Sequence, residues 1–217
     1  MASIIDGHPA EAPALVSRGQ VTTYGELRDQ VARLRGGLIR SGVQPGDRVA
    51  LATANNWFFV TGYLAVLGAG AVAVPLNPAS PETEIAHELE AIGATVLIAG
   101  PAAREAVGGI RNKVATLQHL FVPNGLEVDG GEPLELLFEG DAVPVVERDA
   151  ADTAVLIFTA GTAGSPKAAM LTHGNLLANL EQTQRHPGGS VTATDVALGV
   201  LPMFHIFGLN VVLGLAL

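Results

Sequence analysis

The chain has 217 residues and a net charge of −9; 48% of its residues are hydrophobic, 15% are charged and none is cysteine. This composition fits a globular α/β protein and excludes a disordered chain, a disulfide framework and a cysteine-based zinc or thiolate site. We expect a cytoplasmic protein that neither binds nucleic acid nor spans a membrane, because the sequence has no basic stripe, no signal-peptide pattern and no apolar run of about 18 residues.

The first half of the chain alternates between helical and strand patterns. Thr23 and Glu26 form a capping-box signature, after which apolar residues recur at helical spacing until Gly42 ends the helix. Ser80-Pro81 is expected to cap a helix that continues through Ile92. The other predicted strands lie at 49–52, 71–76, 95–99 and 119–122, and the other predicted helices lie at 56–67 and 101–108.

Residues 123–152 form an acidic connector between the two halves. They carry nine acidic side chains and one basic side chain, Arg148, so nine negative charges and one positive charge give −8 of the net −9. We interpret this segment as a solvated connector; a surface that docks a partner is the alternative.

The second half predicts a strand at 153–159, an extended segment at 168–172, a helix at 173–185 and a strand at 196–200. The strands do not alternate strictly between apolar and polar residues, which is typical of strands covered on both faces. With the intervening helices, this pattern predicts an α/β fold that has a mostly parallel sheet and helices on both faces.

A turn rich in glycine and hydroxyl side chains, residues 158–168, joins two of these strands. Glycines allow backbone N–H groups to point into one concavity, where they can bind an anion. Thr159, Thr162 and Ser165 add hydroxyl donors, and Lys167, one of only two lysines in the chain, adds a positive charge. We expect a loop whose N–H groups face a shared hollow suited to a polyphosphate; a plain surface turn is the alternative.

Two common phosphate-binding motifs do not fit this chain. A Walker loop needs wider glycine spacing, whereas Gly161 and Gly164 lie close together and Pro166 precedes the lysine. A dinucleotide fingerprint would follow a strand and open a helix, whereas residues 68–73 follow a helical pattern and precede a strand. We interpret the glycines at 68 and 70 as a helix stop.

The glycine-rich turn resembles the phosphate-binding signature of the adenylate-forming superfamily, Tyr/Phe-Thr-Ser-Gly-Thr-Thr-Gly-x-Pro-Lys-Gly followed by Leu-Thr-His-x-Asn. Further segments resemble family segments in the same order, so the resemblance covers essentially the whole chain; these segments are 22–27 with 45–51, 64–78 and 201–208. The positions that match the signature are Phe158, Thr159, Gly161, Thr162, Gly164, Pro166, Lys167, Leu171, Thr172, His173 and Asn175.

The resemblance implies that residues 1–217 are an incomplete N-terminal adenylation domain. It implies a two-step reaction, in which a carboxylate attacks the α-phosphate of ATP to give an acyl-adenylate, and coenzyme A then displaces AMP, with Mg²⁺ assisting. The uninterrupted LPMFH at 201–205 is similar to the acyl-CoA synthetase branch, which implies a fatty acid or another apolar carboxylate and a role in lipid metabolism. A different thiol acceptor is the alternative within the family.

The resemblance also implies roles for individual residues. Phe204 and His205 would border the acyl-substrate pocket; a packed histidine in an aromatic cluster with Phe207 is the alternative. His173 is interpreted as a helix-start residue. No catalytic residue and no metal ligand is assigned, and the residues expected to bind the ATP phosphates are Thr159, Ala160, Gly161, Thr162, Ala163, Gly164 and Lys167.

Three alanines depart from the family pattern at Ala160, Ala163 and Ala168, where serine, threonine and glycine are common. A lost hydrogen bond to a charged phosphate costs about 1.5–3 kcal/mol. We therefore expect a weakened phosphate site, since the backbone donors survive these substitutions.

In the family, the groups that hold adenine and ribose and the C-terminal domain with its catalytic lysine follow later in the chain. We therefore expect this chain alone to make no acyl-CoA; a non-catalytic binding or assembly module from a shortened gene is the alternative. Residues 206–217 carry no charge and one polar side chain, Asn210. We expect the chain to self-associate through this surface, as a dimer.

Overall fold

The computed structural model describes residues 1–159, 167–188 and 191–217. Its strands are β1 Pro13–Ser17, β2 Gln20–Thr23, β3 Arg48–Ala52, β4 Val72–Pro75, β5 Val96–Ala99, β6 His119–Val122, β7 Glu132–Pro133, β8 Thr153–Thr159 and β9 Lys167–Thr172. Strands β1 and β2 form a small antiparallel sheet. The main sheet has the order β7-β6-β5-β3-β4-β8-β9, and its neighbouring strands are parallel except for the antiparallel pair of β8 and β9.

The helices lie between these strands and after them. The α-helices are α1 Tyr24–Arg40, α2 Trp57–Gly68, α3 Glu82–Ile92, α4 Arg104–Val107, α5 His173–Arg185 and α6 Gly214–Ala216. Short 3₁₀ helices lie at Pro101–Ala103, Ile110–Asn112 and Leu134–Phe138, and a π-helix lies at Phe207–Leu213. Within the described ranges, no helix combines the length and the apolar character needed to cross a membrane.

Alternate residues of the central strands face two separate cores. In β3, Val49 and Leu51 belong to a core shared with α1, α2 and α5, whereas Ala50 and Ala52 belong to a core shared with α3 and the short helices that follow β5. All four side chains are fully buried. Helices therefore cover both faces of the sheet, which confirms the predicted α/β fold and explains why the strands lack an alternating pattern.

Local chemistry sets the predicted start of α1. The side chain of Thr23 accepts a hydrogen bond from the backbone N–H of Glu26 at 3.2 Å, and the Glu26 carboxylate accepts one from the N–H of Thr23 at 2.8 Å. The capping box is thus confirmed. At α3 the prediction is wrong in detail, because Pro81 occupies the cap position and the Ser80 hydroxyl donates to the Glu84 carboxylate at 3.1 Å instead.

The β1–β2 hairpin is a feature that the sequence analysis missed. Its two turn residues, Arg18 and Gly19, have φ angles of 52° and 79°. Positive φ at both central residues is the geometry of the tight hairpin turns that match strand twist. Glycine at the second turn position favours such a turn, so the sequence Ser17-Arg18-Gly19-Gln20 did carry a signal for the hairpin.

The acidic connector, residues 123–152, packs on the fold and is not a free linker. Leu134 and Leu137 are buried, and the Arg35 guanidinium of α1 donates to the carbonyl of Val143 at 2.9 Å through Nε. At Gly37, a Cβ atom would lie 2.1 Å from the carbonyl oxygen of Leu137, so only glycine permits this approach. Most of the acidic side chains are nevertheless exposed, as expected for the solvated connector.

The strand predicted at 196–200 is wrong. The segment pairs with no strand of the described residues, and Val196 and Leu198 are 92% and 81% exposed. An apolar run becomes a strand only when a neighbouring strand satisfies its backbone and covers its side chains, and composition cannot supply that neighbour.

The last residues of the chain are better covered than the sequence suggested. Leu209, Leu213 and Leu217 are buried in the core on the α1–α2 side of the sheet. Ile206 and Phe207, in contrast, are 40% and 59% exposed. The exposed apolar side chains in this part of the molecule therefore lie at 196–207 and not along the whole tail.

Candidate functional site

The parallel strands place several segments at one edge of the sheet. Strands β3, β4 and β8 are neighbours and run in the same direction, so their carboxyl ends lie at the same edge. Thr159 ends β8 and Asn55 follows β3. In open α/β sheets, the crevice outside the carboxyl ends is where ligands bind, which makes this edge the candidate functional site.

Thr159 and Lys167, the two ends of the predicted phosphate turn, lie opposite each other. They are the last register pair of β8 and β9, and the Thr159 hydroxyl donates to the Lys167 carbonyl at 3.3 Å. Both residues are exposed. The strand predicted at 153–159 is confirmed, and the next strand begins one residue before the predicted 168–172, at Lys167. The ends of the turn predicted at 158–168 therefore belong to the two strands.

The remaining predicted phosphate ligands fall on residues 160–166, which lie outside the described residues. They are Ala160, Gly161, Thr162, Ala163 and Gly164. The shared hollow of backbone N–H groups expected there stays a prediction.

The junction between β9 and α5 is held by a second capping box. The Thr172 hydroxyl accepts from the N–H of Asn175, and the Asn175 side chain accepts from the N–H of Thr172, both at 3.1 Å. His173 begins the helix, as predicted, and its N–H donates to the carbonyl of Asp152 at 3.1 Å. The capping box thus fixes the turn from β9 into α5, and the bond to Asp152 ties this turn to the residue before β8.

The His173 imidazole is a buried group with an incomplete set of partners. The residue is 7% exposed, and its Nε2 atom makes no hydrogen bond within the part of the chain that the structure describes. Burial lowers the pKa of His173, and the positive charges of the amino terminus and Arg148 lower it further. The imidazole is therefore neutral near pH 7, which fits a structural role.

Phe204 and His205, the predicted acyl-pocket residues, lie next to each other near the same edge. Their ring centroids are 4.5 Å apart with planes tilted by 52°. His205 is exposed and Phe204 is half-buried, so His205 is not packed inside an aromatic cluster with the exposed Phe207. The chain turns sharply after them, since a Cβ atom on Gly208 would lie 2.2 Å from the carbonyl oxygen of Pro202.

Asn55 connects the segment 199–203, which directly precedes Phe204 and His205, to the sheet, and the sequence analysis missed this residue. Its Nδ2 donates to the carbonyls of Gly199 and Leu201 at 3.0 and 2.7 Å, and its Oδ1 accepts from the N–H of Met203 at 2.9 Å. The sequence held one signal for it, the Asn55-Asn56 pair before α2. Capping a helix takes a single asparagine, and Asn56 caps α2 by accepting from the N–H of Phe59, so Asn55 has no local partner to explain it.

The described residues do not build a metal site of their own. No group of three or more histidine, aspartate or glutamate side chains within ranges 1–159, 167–188 and 191–217 is arranged to hold a metal ion. This finding concerns only a site made entirely of protein side chains, since Mg²⁺ is usually held by one or two carboxylates together with substrate phosphates.

Comparison with known proteins identifies the family. The family profile described as AMP-binding enzyme matches residues 3–217. The chain belongs to the AMP-binding enzyme family. The resemblance to adenylate-forming enzymes is thus confirmed, and the mostly parallel sheet with its helices matches the N-terminal domains of solved members of the family.

Two curated relatives and one solved structure show how far the similarity extends. The chain is 37% identical to a feruloyl-CoA synthase from an Amycolatopsis species over 201 residues, which cover 93% of this chain and 38% of the relative. It is 36% identical to a long-chain-fatty-acid–CoA ligase from Thermus thermophilus over 187 residues, covering 85% of this chain and 34% of the relative. The ATP-bound structure of MatB from Rhodopseudomonas palustris superposes with a TM-score of 0.80 at 28% identity, covering 99% of this chain and 43% of that one.

The chain therefore spans less than two fifths of the length of these two curated relatives. The residues that the family profile matches, 3–217, include the predicted phosphate turn and the segment that carries Phe204 and His205.

Proposed function

We propose that this chain is the ATP-handling N-terminal part of a carboxylate–CoA ligase. In the first step a substrate carboxylate oxygen attacks the α-phosphorus of ATP, the bond to the bridging oxygen breaks, and pyrophosphate leaves. In the second step the sulfur of coenzyme A attacks the acyl carbon and AMP leaves. The observation that carries the proposal is the pairing of Thr159 with Lys167 at the carboxyl end of β8, within a chain whose family binds AMP.

Lys167 is proposed to neutralise the β- and γ-phosphates as a positioning charge and not as a base. Its exposed ammonium forms no ion pair with any residue of the described ranges, whereas the other lysine, Lys113, is 2.9 Å from the carboxylate of Glu82. Thr159 would add a hydroxyl donor once its bond to the Lys167 carbonyl is exchanged for a phosphate oxygen. Residues 160–164 would complete the site with backbone N–H groups, and Mg²⁺ would neutralise phosphate charge as the counter-ion of ATP.

The acyl group is proposed to be that of a fatty acid, bound beside Phe204 and His205. An exposed histidine next to a half-buried aromatic ring offers one polar and one apolar surface to a carboxylate with an apolar tail. The relatives named for feruloyl and long-chain fatty acyl groups make an aromatic acid the alternative substrate class.

The two lysines provide a matched pair of variants for testing the phosphate site. Lys167→Ala removes one charge-assisted bond, so we expect the affinity of this chain for ATP, measured by calorimetry, to fall about tenfold to hundredfold. Lys113→Ala should leave that affinity unchanged, because Lys113 is paired with Glu82 and does not belong to the segment assigned to the phosphates. Equal affinities in the two variants would refute the assignment of Lys167.

The reaction itself is tested on the complete gene product by ATP–pyrophosphate exchange. We expect exchange to require a carboxylate, to be faster with long-chain fatty acids than with ferulate, and to fall in the Lys167→Ala variant. The 217-residue chain alone is expected to show no exchange above background and to make no acyl-CoA. Exchange by this chain alone would overturn the predicted inactivity, and absence of exchange in the complete product with every acid would favour a binding or assembly module.

We further propose that the chain self-associates through the exposed apolar side chains at 196–207. Val196, Leu198 and Phe207 are 92%, 81% and 59% exposed, an arrangement that a second copy would cover. Sedimentation at micromolar concentration should give a dimer that dissociates in the Leu198→Ser variant. A monomer mass for the unmodified chain would refute this.

A further inference from the structure

A single carboxamide holds three backbone groups of the segment 199–203. Asn55 Nδ2 donates to the carbonyls of Gly199 and Leu201, and Asn55 Oδ1 accepts from the N–H of Met203, at distances between 2.7 and 3.0 Å. These three groups lie 144 to 148 positions after Asn55 in the chain. The side chain therefore joins the loop after β3 to a part of the molecule that follows α5.

The upstream side of this segment has little other support. Residues 196–200 pair with no strand of the described residues, and Val200 is 69% exposed. The downstream side is held separately, because Asn210 Nδ2 donates to the carbonyl of Leu176 at 3.2 Å. Phe204 and His205 lie between these two anchors, directly after the residue whose N–H Asn55 binds.

We propose that Asn55 is a positioning residue that fixes segment 199–203 at the carboxyl edge of the sheet and thereby places Phe204 and His205 toward the substrate carboxylate. The part that concerns substrate rests on the proposed ligase function. Asparagine is suited to this task because one planar group both donates twice and accepts. Aspartate keeps the acceptor but loses both donors, and it adds a negative charge facing two carbonyl oxygens.

Hydrogen exchange tests the hold on the segment without any assay of activity. In this chain, the Met203 amide should exchange about tenfold to hundredfold faster in Asn55→Ala than in the unmodified chain. Asn55→Asp, which loses both donors and places a charge against two carbonyl oxygens, should also accelerate this exchange, which a merely space-filling role would not produce. The matched control is Asn56→Ala, which removes the α2 cap. In this variant the exchange rate of the Met203 amide should change no more than the rates of amides elsewhere in the fold.

Kinetics of the complete gene product test the placement of the acyl-side residues. Asn55→Ala should raise the KM for the carboxylate about tenfold while the KM for ATP changes by less than about twofold. A parallel rise in both constants, or no rise in either, would overturn the placement role.

The two experiments separate the inference from the proposed function. Unchanged Met203 exchange in Asn55→Ala and Asn55→Asp overturns the inference, whatever the activity. Accelerated exchange in a protein that activates no carboxylate overturns the ligase proposal and the substrate part of the inference, while it supports the hold of Asn55 on the segment.

Discussion

Glu88 on α3 makes the stability of this chain depend on pH in an unusual direction. The residue is 9% exposed, and burial, followed by the nearby charge of Glu84, raises the pKa of Glu88 to about 7. In the unfolded chain, a glutamate titrates at its ordinary pKa of about 4.3. Between these two values the folded state binds more protons than the unfolded state, so the free energy of unfolding falls as the pH rises through this window.

The magnitude follows from the size of the shift. A shift of more than two pH units corresponds to about 3 kcal/mol when fully expressed, and solvent screening of a group at the margin of the core reduces this to about 1–2 kcal/mol. Glu88→Gln imitates the protonated carboxyl group and cannot ionise. We therefore expect Glu88→Gln to match the unmodified chain at pH 4, below the window, and to be about 1–2 kcal/mol more stable at pH 8.

The measurement is urea unfolding at pH 4, 5, 6, 7 and 8, with Glu90→Gln on the exposed side of the same helix as the matched control. The quantity to compare is the difference between variant and unmodified chain, because the contributions of all other titrating groups cancel in that difference. A constant difference for Glu88→Gln at every pH, or the same trend in Glu90→Gln, would refute the reasoning.

Three further outcomes are expected. Gly37→Ala should lower the free energy of unfolding by about 2–4 kcal/mol, because the new Cβ would lie 2.1 Å from the carbonyl oxygen of Leu137; a loss below about 0.5 kcal/mol by urea unfolding would contradict this. Thr172→Ala removes the α5 cap and should cost about 1 kcal/mol with faster amide exchange in the first turn, whereas Thr183→Ala near the other end of α5 should leave that turn unaffected. Burial lowers the pKa of His173, so the unmodified chain should lose stability relative to His173→Asn as the pH falls below about 6.5. A stability difference between the two proteins that stays constant from pH 7 to pH 5 would contradict this expectation.

Predictions from sequence succeeded where the determining contacts are local. The α1 capping box needs only Thr23 and Glu26, three positions apart, and the start of α5 at His173 follows equally from its neighbours. The two-sided burial of the sheet was also predictable, because strands covered on both faces need apolar residues at every position.

Two failures were local, the missed β1–β2 hairpin and the cap of α3, and the others concern contacts between distant parts of the chain. The segment 196–200 has the composition of a strand, but its pairing depends on a neighbour that the sequence does not identify. The same limit applied at the candidate site. Thr159 and Lys167 were predicted because they flank one short motif, whereas Asn55 binds groups at least 144 positions away and resembles an ordinary residue before a helix.

The way α1 holds the acidic connector affects how the protein can change over evolution. Arg33, Arg35 and Arg40 reach the connector through backbone carbonyls, those of Gly140, Val143 and Glu139, and not through its carboxylates. Every residue type offers the same carbonyl group, so substitutions of the acidic side chains leave these bonds in place, whereas Gly140 is restricted because a Cβ atom there would clash with the Arg40 guanidinium. The acidic side chains can therefore diverge between related proteins while the path of the backbone is kept, and the arginines of α1 are the positions at which selection should tolerate least change.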